Sequence, residues 1–469
     1  MSELTSMGII SLLPATIAIV LSFITRNTVI SLAVACIVGT LVAGQGIFGF
    51  PILLKESIGS PDFAWIMLLN SFIGILVAFF QKTGAIQGFT QYMKDKKMTR
   101  NKVQLSAWLL GMVSFFSDSF APLFVGTTMR SVSDDAKVSR EKLAYIADSA
   151  AAPVSILVPI TAWSTFLSAL AIGIGPIITQ EDAANLFLKA IPFNLYAIIS
   201  VALVGLIASG IVKDFGPMKK AELRAEREGK VIRDGAIPLI GKELTEMKPY
   251  EGLKPRIFLN FILPILLIVI IALGTYITLG SAKTMESFLF VVIFMGISMF
   301  IQGIPFQEIM DTLTTGIKGA LPAIILLALA YSVNGLSKTM GTANYIISIS
   351  EGFLKPEFLP VAIFMIAALM SFSTGSSWGT FAICMPIALP LAFQFSGGEV
   401  TTLVYLAFAA VAGGGVFGDH CSPLSDTTVL ASTGAASDHI DHVKTQLPYA
   451  LTCAGIALVA YLVIGFIFV

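Results

Sequence analysis

Three apolar runs free of charged residues, Gly8–Thr25, Phe258–Thr278 and Gln446–Val469, approach or pass the ~20 residues that a helix needs to cross the ~30 Å hydrocarbon layer of a bilayer. A soluble fold could not cover them all. The charge count agrees: 29 Lys/Arg and 29 Asp/Glu make 12% of the 469 residues, against ~25% in an average soluble domain. The shortage is uneven, because residues 213–256 alone hold 11 basic and 8 acidic side chains. The chain therefore reads as an all-α polytopic membrane protein with one polar linker. A barrel is excluded because its strands are ~10-residue segments of alternating polarity, and only helices satisfy the backbone of long apolar runs in lipid. The first run lacks a basic leading segment and a small-residue cleavage site, so it reads as a retained helix. Four cysteines without paired spacing do not make a disulfide scaffold. Zero net charge with no basic, aromatic-interleaved face leaves no footprint for a nucleic acid.

Hydropathy places simple spans at 8–25, 28–48, 63–81, 190–211, 257–279, 284–303, 319–337 and 446–469. Interrupted stretches lie at 103–129, 142–175, 358–395 and 402–432. The second half echoes the first. Lys82-Thr83-Gly84 answers Lys338-Thr339-Met340-Gly341, Ser114-Phe115 answers Ser371-Phe372, Pro159 answers Pro423, and Ile191-Pro192-Phe193 answers Leu447-Pro448-Tyr449, at offsets of 256, 257, 264 and 256. Four matches in order point to two copies of one unit, residues 1–212 and 257–469, joined by the linker 213–256. If one polar-centred stretch per copy enters and returns as a hairpin, each copy makes five crossings. An odd number turns the second copy upside down. With the linker in the cytoplasm, 24 of the 29 Lys/Arg fall inside and 5 outside, as positive-inside bias requires. The expectation is two inverted repeats of five transmembrane helices, each with a re-entrant hairpin and a broken helix, in the cell membrane with both termini external.

A carboxylate at bilayer depth costs at least ~2.5 kcal/mol on insertion scales and needs a partner or a water-filled cavity. Four qualify: Asp118 and Asp148 in the first copy, Asp419 and Asp426 in the second. The hairpin tips read Ser114-Phe-Phe-Ser-Asp-Ser119 and Ser371-Phe-Ser-Thr-Gly-Ser-Ser377. Ser117 and Ser119 thus flank Asp118, and Ser373, Thr374, Ser376 and Ser377 occupy the matching tip. The broken spans run from Pro153-Val-Ser155 to Pro159-Ile-Thr161, and from Gly413-Gly-Gly415 to Asp426-Thr-Thr428. Their prolines and glycines predict unwinding near mid-membrane, which frees carbonyl oxygens beside half-helix ends. Carboxylate, hydroxyl and carbonyl oxygens are what a small hard cation needs, so Asp118, Asp148, Asp419 and Asp426 are the candidate sodium ligands. Blander roles compete. Ser and Thr in such helices often bond only to their own backbone, and the glycine triplet serves equally for close helix approach. His439-x-x-His442 has helical spacing but no second ligand pair, so SDHIDHVK reads as a solvated loop, with proton sensing open, rather than a zinc site. Asn334 suits a substrate contact or an interhelical hydrogen bond, and Lys82 and Lys338 read as snorkelling side chains.

The stretch GDHCSPLSDTTVLASTGAASDHIDHVKTQLPYA (Gly418–Ala450) and its first-half counterpart Gly126–Trp163, with VGTTMR, SREKLAYIADSAAAP and PITAW, resemble the NhaC-type sodium/proton antiporter family. The resemblance covers both repeats and most of the chain. It implies a secondary exchanger rather than an enzyme, with a mobile set of hairpins and broken helices working elevator-fashion against a scaffold. The positions it marks are Asp118, Asp148, Asp419, His420, Ser422, Ser425, Asp426 and Thr427. One departure is that Ser117 and Ser119 stand where the family pattern has a second acidic or amide residue. The activity implied is sodium/proton antiport by competition of Na+ and H+ for shared carboxylates, with these ions as cargo or coupling ions and no cofactor. The alternative is a Na+- or H+-coupled transporter or exchanger of an amino acid or small organic carboxylate, since the family also contains such carriers. Expected partners are the lipid bilayer and a small cation or small-molecule substrate, with no nucleic acid; a homodimer is left open.

Overall fold

A computed structural model describes residues 7–468 apart from 26, 96–97, 116–117, 160, 240–246, 280–282, 343–344 and 346–354. The first half runs α1 (Leu13–Thr25), α2 (Thr28–Val42), α3 (Gly49–Ile58), α4 (Pro61–Lys82), α5 (Ala85–Asp95), α6 (Arg100–Val113) and α7 (Phe120–Asp135). It continues through α8 (Arg140–Ser149), α9 (Ala152–Ser155), α10 (Ala162–Ala171), α11 (Gln180–Ala190) and α12 (Leu195–Ser209). The linker carries α13 (Gly216–Glu228). The second half contains α14 (Leu263–Leu279), α15 (Thr284–Ile301), α16 (Phe306–Thr339), α17 (Leu359–Thr374), α18 (Ser377–Phe395), α19 (Thr402–Cys421), α20 (Asp426–Ala435) and α21 (His439–Phe468). Among the described residues there are no strands beyond two isolated bridges. Among the described residues, eight helices are long and apolar enough to cross a membrane, or nine if the pair Glu181–Phe193 and Leu195–Ser209, bent by 51°, is one span. The chain is a multi-pass membrane protein.

Helix starts follow their capping residues. Asn27 accepts from the Ile30 N–H, Ser60 from Phe63 ahead of Pro61, and Ser139 from Lys142, each filling a donor that the first turn leaves open. The stretch 103–129 breaks between Val113 and Phe120. Its counterpart turns at Gly375, which has φ +66°. There α17 and α18 are each long and apolar enough to cross, which departs from the re-entrant hairpin expected of 358–395: both sides of the Gly375 turn stay apolar over the full length of a helix.

A further expectation is corrected. The glycine triplet Gly413–Gly415 does not unwind: α19 runs through it, and the break falls at residues 422–425. The glycines instead let α19 lie against α17 and α18, where a β-carbon on Gly414 would stand 2.5 Å from the Phe364 carbonyl oxygen and one on Gly415 would strike the Phe381 ring. Close backbone approach outweighs intrinsic flexibility because the intrahelical hydrogen bonds have no water to replace them.

The helices pack as two sets. In one, α16 lies along α2, α3 and α4, with α1, α14 and α15 alongside. Here α4 and α16 cross at Gly74 and Gly316, where a β-carbon on Gly74 would be 2.5 Å from the Gly316 carbonyl oxygen. The other set comprises α6–α12 and α17–α21, with a core around Trp163, Tyr196, Phe364 and Phe408. The linker touches both. Its helix α13 docks on α8 and α21, and Arg100 meets Glu222 at 2.5 Å, Arg224 meets Glu141 at 2.9 Å and Arg233 meets Asp441 at 2.8 Å. Further on, the Tyr250 N–H donates to the Lys82 carbonyl at 2.8 Å, and Lys82, rather than snorkelling free, pairs with Glu308 at 2.6 Å.

Glu222 is buried and also accepts from the Ser139 N–H at 2.8 Å. Glu222→Ala orphans that donor and leaves Arg100 only the more exposed Glu226, 3.2 Å away, so it should cost about 2 kcal/mol and lower the thermal unfolding midpoint of the detergent-purified protein. Glu222→Gln, which keeps an acceptor, should lower it less.

Candidate functional site

Between the two helix sets lies a cavity of about 740 Å³. One wall is the hairpin set, contributing Asp118, Ser119, Thr374, Ser376, Ser377 and Asp426. The facing wall is α4 and α16, with Trp65, Tyr331, Asn334 and, at the mouth, Lys338. Asn334 is therefore a cavity residue. Asp118 stands beside the indoles of Trp163 and Trp378, which meet edge to face with centroids 5.7 Å apart. Ser117 lies outside the described residues.

Asp426 is the first residue of the half-helix α20, so its carboxylate sits at the positive end of that helix and accepts from the Thr427 N–H at 2.9 Å. Ser425 caps the same helix and donates to Asp419 Oδ1 at 2.5 Å, while Thr427 Oγ1 lies 3.0 Å from Ser425 Oγ. Ser377, first residue of α18, reaches Asp419 Oδ2 at 3.5 Å. Asp419 is buried under the cavity floor, within electrostatic reach of Asp426 and Asp118. A chain of hydroxyls thus runs from the cavity wall to a buried carboxylate. Among the described residues no three His, Cys, Asp or Glu side chains converge as a metal centre.

The remaining expected residues do other work. Ser155 Oγ shares its hydrogen between the Ala151 carbonyl of its own helix at 3.1 Å and the Phe115 carbonyl at 3.2 Å, and Ser422 Oγ donates to the Phe372 carbonyl at 2.8 Å. Each serine pins a hairpin tip to a broken helix. Thr161 and Ser164 form a reciprocal capping box that starts α10. Ser373 and Thr374 donate back to their own helix, at 2.6 Å to Leu369 and 2.8 Å to Met370. His420 is fully buried, 2.8 Å from both Ser149 Oγ and Tyr196 OH.

Asp148 is set apart from the cavity. It is fully buried, accepts from Gln446 Nε2 at 2.7 Å and faces His442 Nε2 at 3.4 Å. Gln446 and His442 were not among the expected site residues. The segment around His439 and His442 is not a solvated loop: both are buried, and His439 closes the break in the second broken helix by contacting the Pro423 carbonyl at 2.9 Å and Ser432 Oγ at 3.0 Å. Unwound backbone in a membrane interior needs such partners. A polar glutamine opening an otherwise apolar span was the one signal that pointed to Gln446.

The family model for the Na+/H+ antiporter family matches residues 154–466. The chain belongs to the Na+/H+ antiporter family. An uncharacterised protein of Haemophilus influenzae is 32% identical over 98% of this chain and 92% of its own length. The malate-2H+/Na+-lactate antiporter of Bacillus subtilis is 28% identical over 44% of each chain. The Na+/H+ antiporter NhaC of Alkalihalophilus pseudofirmus is 28% identical over 34% of this chain and 33% of its own. Membership in the Na+/H+ antiporter family makes this an antiporter-type membrane transporter and implies a small cation substrate. The match contains Asp419, Asp426 and their hydroxyl partners and begins after Asp148.

Proposed function

We propose that the protein is a Na+/H+ antiporter in which the cation and protons compete for the carboxylates at the cavity floor, Asp118, Asp426 and, beneath them, Asp419. The observation that carries this reading is the cavity itself: two half-buried carboxylates and a hydroxyl-lined path to a third, at a half-helix N-terminus, on the seam between two helix sets. A carboxylate relinquishes its proton when a cation takes its oxygens, so one enters as the other leaves.

Alternating access follows an elevator motion of the hairpin set along the scaffold. Three features support it. Both hairpins and both broken helices belong to one packed set. Helices α3 and α4 span 49–82 and α16 spans 306–339, the same interval shifted by 257. The carbonyls pinned by Ser155 and Ser422 belong to Phe115 and Phe372, again 257 apart. An inverted duplication supplies two near-equivalent packings of opposite orientation. The linker is cytoplasmic in this reading and the cavity opens outward, beside the externally placed Lys338.

That sidedness is testable. The four native cysteines are buried and free, so in Ser376→Cys a membrane-impermeant maleimide should label intact cells faster than inverted vesicles, and saturating Na+ should slow the labelling. Labelling confined to inverted vesicles would reverse the orientation.

A second reading, exchange of a small organic carboxylate or amino acid, is favoured by the cavity's aromatic and amide wall of Trp65, Tyr331 and Asn334, which a bare ion does not require. The similarity to a malate/lactate antiporter points the same way. Counterflow of labelled acids in proteoliposomes separates the two readings.

A further inference from the structure

We infer that Asp148 and His442, with Gln446, form a proton-holding site of their own, on the linker side of the cavity carboxylates. The inference rests on the exchanger reading.

The site is short of hydrogen-bond donors aimed at its acceptors. Gln446 Nε2 spends its donors on Asp148 Oδ2 and the His420 carbonyl oxygen. Asp148 Oδ1, Gln446 Oε1 and both ring nitrogens of His442 are left without hydrogen-bond partners among the described residues. All three side chains are fully buried. Leaving a buried acceptor unpaired is costly, and leaving a buried charge unpaired more so. One added proton changes the account, because protonated His442 has two N–H donors and a charge to set against the carboxylate 3.4 Å away.

The surroundings single out this pair. Within electrostatic reach of Asp148 are His420, Cys421 and Asp419 on α19, Asp426 on α20, His439 and His442 on α21, and Tyr196 on α12. Of the three histidines, His420 has both ring nitrogens occupied by Ser149 and Tyr196, and His439 has both occupied by Ser432 and Pro423. His442 alone has neither ring nitrogen hydrogen-bonded among the described residues. Depth fits a relay toward the linker: Lys142, six residues before Asp148 on α8 and bound to Asp214 of the linker segment, lies about 9 Å away at the helical rise.

The chain has three histidines, so magnetic resonance of protein carrying isotope-labelled histidine needs little assignment. One imidazole should pass between singly and doubly protonated forms across the working pH range, its signal should be absent from His442→Gln, and its titration should move in Asp148→Asn. In inverted vesicles both variants should shift the pH midpoint of exchange by about one unit, a tenfold change in proton affinity. Three imidazoles that stay neutral throughout, or variants with the wild-type midpoint, would overturn the site. A wild-type protein that moves no protons with Na+ would overturn the exchanger reading instead.

Discussion

Asp426→Asn should reduce Na+-dependent proton flux in inverted vesicles by about a hundredfold or more, since a lost charged ligand is worth about 3 kcal/mol and every 1.4 kcal/mol is tenfold. The substitution is chosen to leave the fold alone. Asparagine has the shape of aspartate, and its amide oxygen still accepts the Thr427 N–H that now holds Oδ1 at 2.9 Å. What disappears is a negative charge on the cavity floor and the capacity to give up a proton to a cation. Thermal stability without Na+ should stay within a few degrees of wild type, while stabilisation by added Na+ should vanish, because only a ligand that binds the native state raises its midpoint. Undiminished flux would remove Asp426 from the mechanism and shift the reading toward Asp118 and Asp419 alone.

The second large effect is structural. Helices α7 and α20, from opposite halves of the chain, meet where a β-carbon on Gly126 would stand 2.5 Å from the Gly434 carbonyl carbon and 2.6 Å from the Ala435 nitrogen. The reciprocal β-carbon on Gly434 would stand 2.8 Å from the Pro122 oxygen. Backbone atoms cannot swing aside as a side chain can, so Gly126→Val forces the two helices apart. Because α20 begins with Asp426 and α7 follows directly on Asp118 and Ser119, that separation also pulls the cavity floor open. We expect overpacking of about 3 kcal/mol, seen as loss of the monodisperse peak in size-exclusion chromatography and of exchange in whatever protein survives. Gly274→Ala, where a β-carbon would meet nothing within 4 Å, should behave as wild type. Normal folding of Gly126→Val would mean that the two helices are not held this closely in the membrane.

Much of the architecture was legible in one dimension. The long helices were, because a bilayer admits few alternatives for runs such as Phe258–Thr278. The break around Asp118 and the polar tip at Gly375–Ser377 were legible from hydroxyls interrupting apolar stretches, and Asp118, Asp419 and Asp426 stood out by the cost of a carboxylate at bilayer depth. Two readings failed for the same reason. Gly413–Gly415 looked like a point of unwinding, and the SDHIDHVK segment looked like a solvated loop. In both cases local composition was opposed by a neighbour remote in the chain: α17 and α18 pressed on the glycines, and the unwound carbonyl of Pro423 captured His439.

The sequence by itself determined that the chain is a multi-pass membrane protein, where its charges concentrate, and which few carboxylates interrupt apolar segments, because these depend only on the transfer energies of contiguous residues. Tertiary structure alone decided which polar groups share a space: Asp118 and Asp426 on one cavity floor, and Asp148 apart with Gln446, from which it is separated by 298 positions. Facing is a property of helix crossings, and a crossing is set by the packing of surfaces that the order of residues along one segment does not encode.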